Sequence, residues 1–391
     1  MTKRVTYLDN AATTPVRPEV LEAMLPYLGK EAFGNPSSAH RFGRAARAGI
    51  EEAKRAVATA LGAEPNQVVF TSGGTEADNL AIIGAALAAR DRGGPFRVAV
   101  SATEHKAALA AAHAVKHLGG EEVILPVTAS GQVESGALDK ALERGVAVVS
   151  VMWVNNEVGT VQALTDVAHL VAERSPHAVL HTDAVQAAPW LDVAGIAGPA
   201  DLVTVSAHKL GGPKGTGALV VRRGTRITAE ADGGGQERGL RSGTVDVAGA
   251  VGFAAALRET TDTRSAEVIR VSALRDRLTL GLLAGCPGAW CNGDRARKVA
   301  GNVNIGFPGV DAQTLLVVLD TLGVCASSGS SCSSGAIEPS HVLLAMGLSR
   351  DEARASVRLT LGWSSTDADV DAALEVIPDA VARVAVTARH A

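Results

Sequence analysis

The chain has 391 residues, a formal net charge of −4, 47% hydrophobic and 20% charged residues, the balance of a globular protein with room for a full core and two domains. That charge leaves no basic footprint for nucleic acid, and 3% aromatic residues are too few to build stacking platforms for single strands. No apolar run approaches the ~18 residues that span a membrane, and residues 1–6 carry no apolar signal segment, which predicts a cytoplasmic protein.

Short apolar runs alternate with helical patterns along the first two thirds of the chain. Strands are expected at 68–70, 97–101, 122–126, 146–154, 178–182, 202–206 and 217–221, with helices at 76–90, 106–118, 135–143 and 164–172 between them. Continuous Val-rich strands separated by helices predict a mostly parallel sheet covered on both faces. A long charged helix at 258–283 links to a second unit with strands at 302–307 and 358–361 and helices at 311–322, from 351, and at 367–388. The fold class is therefore α/β: a large domain with a mostly parallel, seven-stranded sheet and a smaller α+β domain. The large domain is expected over 16–258, and the small one over 1–15 with 259–391.

The chemistry concentrates at predicted strand ends, where open α/β sheets bind ligands. Lys209 follows the strand ending at Ser206 and is closed off by Gly211-Gly212, a poor place for a core residue and a good one for a Schiff base. Asp183 ends another strand upstream and is suited to salt-bridge a pyridinium nitrogen. A lysine for the aldehyde and an acid for the ring nitrogen are what pyridoxal 5'-phosphate requires. Ser206 and His208 add neutral donors suited to a phosphate, and the turn Gly73-Gly74-Thr75-Glu76 opens a helix whose N-terminus favours an anion.

Four cysteines are present: Cys286, Cys291, Cys325 and Cys332. With no export signal they predict neither disulfides nor a zinc site. Cys332 lies in Ser327-Ser328-Gly329-Ser330-Ser331-Cys332-Ser333-Ser334-Gly335, a stretch with no apolar anchor. Such a stretch predicts a flexible surface loop, about 326–336, that carries a travelling nucleophile. Cys325, just after Leu322-Gly323-Val324, reads as an inert strand or strand-end thiol, with a resolving or relay role as the alternative.

Ordered motifs run almost end to end: Tyr7-Leu8-Asp9-Asn10-Ala11-Ala12-Thr13-Thr14-Pro15, Phe33 to Ser38, Phe70 to Glu76, Glu104-His105, Val154 to Gly159, Ser206 to Lys209, Gly233 to Arg238 with Arg241-Ser242-Gly243-Thr244, and Ser327 to Cys332. Together they resemble a cysteine desulfurase of the NifS/IscS type, in the class V aminotransferase superfamily of pyridoxal-phosphate fold-type I. The resemblance implies conversion of L-cysteine to L-alanine, with the sulfur passing to an enzyme cysteine as a persulfide and then to an acceptor. Iron–sulfur cluster assembly, tRNA or DNA thiolation and thio-metabolite synthesis all use such donors.

Carried onto this sequence, the resemblance makes Cys332, Lys209 and His105 catalytic. The cofactor would be held by Gly74, Thr75, His105, Asp183, Gln186, Ser206, His208, Lys209 and Thr244, and the substrate carboxylate by Asn156 and Arg358. It further implies a homodimer, with Thr244 reaching the neighbouring subunit's phosphate, and a sulfur-acceptor protein as partner. No resident metal is expected, although Cys332 could ligate an iron–sulfur cluster transiently. The alternative is a selenocysteine lyase or another enzyme of the same fold. Intact Lys209, Asp183 and Cys332 argue against a non-catalytic scaffold.

Overall fold

Seven of the apolar runs form one sheet, in the order Val68–Thr71, Gly217–Val221, Leu202–Ser206, Val179–Asp183, Val148–Ser150, Arg97–Ser101, Glu121–Leu125. Gly217–Val221 is antiparallel to both neighbours and every other pairing is parallel. The computed structural model describes residues 5–196, 199–329 and 338–388.

The central strands are buried on both faces, which is why their sequences are continuously apolar rather than alternating. One face is covered by the helices Gly74–Arg90 and Lys106–His117, which contribute Ala77, Ala81, Ala85, Ala108, Ala111 and Ala112. These small side chains let the helices approach the sheet closely. The other face packs against the helices Arg41–Ala60 and Leu164–Arg174 and the first part of Val247–Gly285, through Ile50, Val57, Val167, Val171, Phe253 and Leu257.

A second core gathers around the antiparallel strands Trp290–Cys291, Asn302–Gly306 and Ser356–Thr360. Leu274, Leu278 and Leu282 enter it from the far half of Val247–Gly285, and Val370, Ile377 and Val384 from Asp367–Ala388. The parallel pair Thr6–Tyr7 and Val324–Cys325 lies beside it and adds Leu8 and Val324 to the same core.

Three expectations are corrected. The long helix starts at Val247 rather than 258. Its early residues include Gly249 and Gly252, which obscure a helical pattern, and a Cβ on Gly252 would lie 2.7 Å from the Met24 side chain. The run 146–154 yields only the strand Val148–Ser150, because the chain leaves the ladder while staying buried. The helices Pro18–Leu28 and Arg41–Ala60 have no counterpart in the sequence reading; Pro26 and the glycines 43 and 49 break their patterns. Gly49 is required where Tyr27 crosses, since a Cβ there would meet the ring at 2.6 Å.

Candidate active site

The parallel strands deliver their carboxyl ends to one cleft of ≈ 380 Å³. Asp183 ends its strand, Ser206 ends the next, and Lys209 sits in the short turn Ala207–Lys209 that follows. Gly74 and Thr75 begin the helix on the opposite wall. His105, Asn156, Gln186, His208 and Arg358 also line the cleft. Of the described candidate site residues, only Thr244 is not among its lining. Thr244 is exposed and borders a separate cleft of ≈ 110 Å³. Cys332 lies outside the described residues, as does most of its loop. The described stem of that loop does reach the cleft, through Ser327 and Gly329.

Lys209 Nζ donates to the carbonyls of Ala11 and Ala12 at 2.6 and 2.5 Å. Burial pulls its pKa down to about 8; the Arg358 charge adds to this, while Asp183 and Asp9 oppose it. Between that value and the ordinary 10.5 the unfolded chain holds a proton that the folded protein has released, so this group favours folding increasingly as pH rises through the window. Acylation of Lys209 in the cofactor-free protein, followed by peptide mass spectrometry, should therefore titrate with a midpoint near 8. A midpoint at the value of an ordinary lysine, about 10.4, would contradict the burial argument.

Asp183 is 5% exposed, and its Oδ1 accepts from Val185 N at 2.8 Å. Burial raises its pKa; His105, the Val185 amide and Lys209 pull the other way. Two further carboxyls share this bed. Asp78 and Glu104 are essentially inaccessible and are both pushed well above the usual carboxylate range, by burial first and also by Asp183. Asp183, facing His105 and Lys209, is thus the carboxyl best placed to keep its charge.

His105 caps the helix Lys106–His117, its Nδ1 accepting from Ala107 N at 3.2 Å. Burial lowers its pKa, so the ring is neutral and Nε2 carries the proton. Gln186 Nε2 donates to Ala11 O at 2.9 Å. His208 Nδ1 lies 3.1 Å from Thr13 Oγ1, and burial, then the charges of Lys209 and Lys214, bring its pKa to about 4. Arg358 is 5% exposed; one amino group donates to Asp9 Oδ1 at 2.7 Å and the other to Asn156 O at 3.1 Å, while its buried Nε has no partner among the described residues.

Sequence reasoning assigned no role to residues 9–14, yet they fold over the lysine turn. Besides the Ala11 and Ala12 carbonyls, Thr14 Oγ1 donates to His208 O at 2.9 Å and accepts from Gly211 N at 2.9 Å. Asp9 was likewise not foreseen as the partner of Arg358, nor Asp78 and Met152 as lining residues. Their motifs flagged the segments, but the contacts are long-range and leave no local pattern.

The donor set fits pyridoxal phosphate on structural grounds. Among the described residues the buried Ser206 hydroxyl finds no partner, an orphan donor beside the open N-terminus of Gly74–Arg90. A Cβ on Gly74 would sit 3.1 Å from Val185 Cγ2, so the wall is tight there and glycine leaves the most space for a bound group. The aminotransferase class-V family model matches residues 6–373. The chain belongs to the class V aminotransferase family.

Within that family its relatives are cysteine desulfurases. It is 45% identical over 383 residues to the IscS-like cysteine desulfurase of Mycobacterium tuberculosis, covering 96% of each chain. It is 41% identical to cysteine desulfurase IscS of Dictyoglomus turgidum, covering 96% of this chain and 94% of the relative. Among solved structures, a NifS-like protein superposes with a TM-score of 0.89 at 33% identity, over 97% of this chain and 100% of the other. DndA from Streptomyces lividans gives a TM-score of 0.75 at 35% identity, over 91% and 99%. The chain is thus an enzyme of the cysteine desulfurase type, pyridoxal-phosphate dependent like its family. Among the described residues no helix is long and apolar enough to cross a membrane.

Proposed function

We propose that this cleft desulfurates L-cysteine, with Lys209 as base, Asp183 as the ring-nitrogen partner and Cys332 as the sulfur acceptor. The observation that carries the reading is the convergence of Lys209, Asp183, His105 and the Gly74-Thr75 turn on one cleft. Bound pyridoxal phosphate supplies a reactive carbonyl and an electron sink. Gly74, Thr75, Ser206 and His208 would hold its phosphate, Gln186 its ring oxygen, and His105 its ring face.

Lys209, with its lowered pKa, takes the substrate Cα proton once its amine is free. Arg358 and Asn156 orient the substrate carboxylate, a task suited to a planar guanidinium; the substrate then shares Arg358 with Asp9. The Cys332 thiolate attacks the substrate sulfur. The carbon–sulfur bond breaks with its electron pair left on the substrate Cβ, which takes up one proton; Lys209 returns its proton to Cα to complete L-alanine, and the sulfur remains on Cys332 as a persulfide. Cys332 is three residues beyond Gly329, which lines the cleft, and three extended residues reach about 10 Å at most. Cys325 is left outside the reaction: burial, then the charge and hydrogen bond of Asp320, raise its pKa and suppress its thiolate.

Asp183→Asn should keep the cofactor yet lose about 10²–10³-fold in turnover, the cost of deleting one preorganised electrostatic group. Alanine production by a variant with its visible band intact measures this, and near-normal turnover would give the proton-holding role to another group.

Thr244 lies away from its own chain's cleft, and we assign it to the phosphate of a second copy in a cytoplasmic homodimer. Mixing Thr244→Ala with Lys209→Ala subunits should then rebuild one intact site and return part of the activity. A fully active monomer in size-exclusion chromatography would end that assignment. The final acceptor is proposed to be a partner protein that takes sulfur from the Cys332 persulfide.

A further inference from the structure

The segment 233–244 contains a local anomaly. Glu237 and Arg238 have φ of 47° and 61°, the only non-glycine residues with positive φ among those described. Such residues are strained and persist only where their surroundings enforce them. The enforcing contacts are specific. Val68–Thr71 is an edge strand, so its outer amides lack ladder partners. Glu237 is 7% exposed, and its Oε2 accepts from Phe70 N at 2.9 Å and pairs with Lys54 Nζ at 2.9 Å. A buried carboxylate thus closes the sheet edge and fixes the left-handed turn in one move.

A second brace runs from the same segment to the phosphate end of the cleft. Arg241 Nε donates to Glu76 Oε1 at 2.9 Å, while Glu76 Oε2 accepts from Ser72 N at 2.6 Å. Glu76 stands in the first turn of Gly74–Arg90, so this carboxylate joins Arg241 to the turn 72–75. Burial alone would raise the Glu76 pKa, but bonds from Arg241 and Ser72 bring it below the usual carboxylate range. Glu76 is therefore ionised at neutral pH. The Gln236 side chain adds a third tie by accepting from Gly243 N at 2.9 Å.

We propose that Glu237 and Arg241 are positioning residues for the anion cradle. Glu237 pins the segment to the sheet edge, and Arg241, through Glu76, holds the turn 72–75 with its amides facing the cleft. Neither residue lines that cleft. The inference rests on the assignment of the cofactor phosphate to Gly74 and Thr75.

The test is equilibrium binding of pyridoxal 5'-phosphate and of pyridoxal, which lacks the phosphate, to the cofactor-free full-length protein. The wild type should favour the phosphorylated form strongly. Arg241→Gln should lower that preference about tenfold or more, as expected for a lost charge-assisted bond, and leave pyridoxal binding nearly unchanged. Glu76→Gln should lose a similar amount, and Glu76→Gln with Arg241→Gln no more than the larger single loss, because the two act as one unit. Glu237→Gln should reduce the preference too and speed hydrogen exchange over 236–244. Lys54→Met provides a second variant should Glu237→Gln fold poorly. Additive losses in the double variant would mean that Arg241 contacts the phosphate itself, and an unchanged preference in the single variants would remove the brace. If the wild type shows no preference for the phosphorylated form, the cradle assignment fails instead.

Discussion

Lys209→Ala is expected to lose turnover by about 10⁴-fold or more, at or beyond the upper end of what one positioned acid–base group contributes, because in the proposed reaction the same side chain also anchors the cofactor. The purified variant should lack the yellow Schiff-base band, and borohydride should fix no cofactor in the cleft. The expectation follows from placement: among the described residues Lys209 is the only lysine lining the cleft, its amine is held by the Ala11 and Ala12 carbonyls, and its pKa is drawn to about 8. A variant that still binds cofactor covalently after reduction would transfer the role to another residue. Folding should survive, since Lys209 lies in a short turn and its deletion leaves two carbonyls near the open cleft rather than an unpaired buried charge.

The second large effect belongs to Cys332. Cys332→Ser should bind L-cysteine and change the visible spectrum as the wild type does, yet release no sulfide and form no alanine above background. In the proposed reaction substrate binding uses the amine, the carboxylate clamp and Lys209, and only the attack on sulfur needs the thiol. A hydroxyl is no substitute, because it is scarcely ionised at neutral pH, whereas an ordinary thiol, pKa about 8.5, is already a few per cent thiolate. Cys325→Ser should retain most activity, given the raised pKa of that thiol and its distance in the sequence from the loop tip. Loss of alanine formation in Cys325→Ser alone would reverse the two roles.

Much of this was legible in the sequence because the chemistry sits at strand ends. The reading placed Arg97–Ser101, Leu202–Ser206 and Gly217–Val221 at their observed bounds, and those bounds put Ser206 and Lys209 at the cleft. Continuous valine runs signal burial on both faces, so the sheet was readable. Burial alone does not signal pairing, and the buried run 146–154 pairs as a strand only over Val148–Ser150. There the amides of Val151 and Trp153 go to the carbonyls of His181 and Asp183 beyond the regular strand.

The contacts that tune the site were not legible. Ala11 O meets Lys209 across 198 residues, Asp9 meets Arg358 across 349, and Glu76 meets Arg241 across 165. No periodicity or turn chemistry encodes such pairings. The three carboxyls under the cleft, Asp78, Glu104 and Asp183, likewise reveal their competition only once folded, since each sits on a separate element.

The central claim is that one cleft moves sulfur from L-cysteine to Cys332. Peptide mass spectrometry of the cofactor-loaded protein after brief exposure to L-cysteine, with amino-acid analysis of the same sample, tests it directly. The account predicts one added sulfur atom on the peptide carrying Cys332 and an equal amount of L-alanine. Added sulfur on the Cys325 peptide alone, or pyruvate in place of alanine, would contradict it.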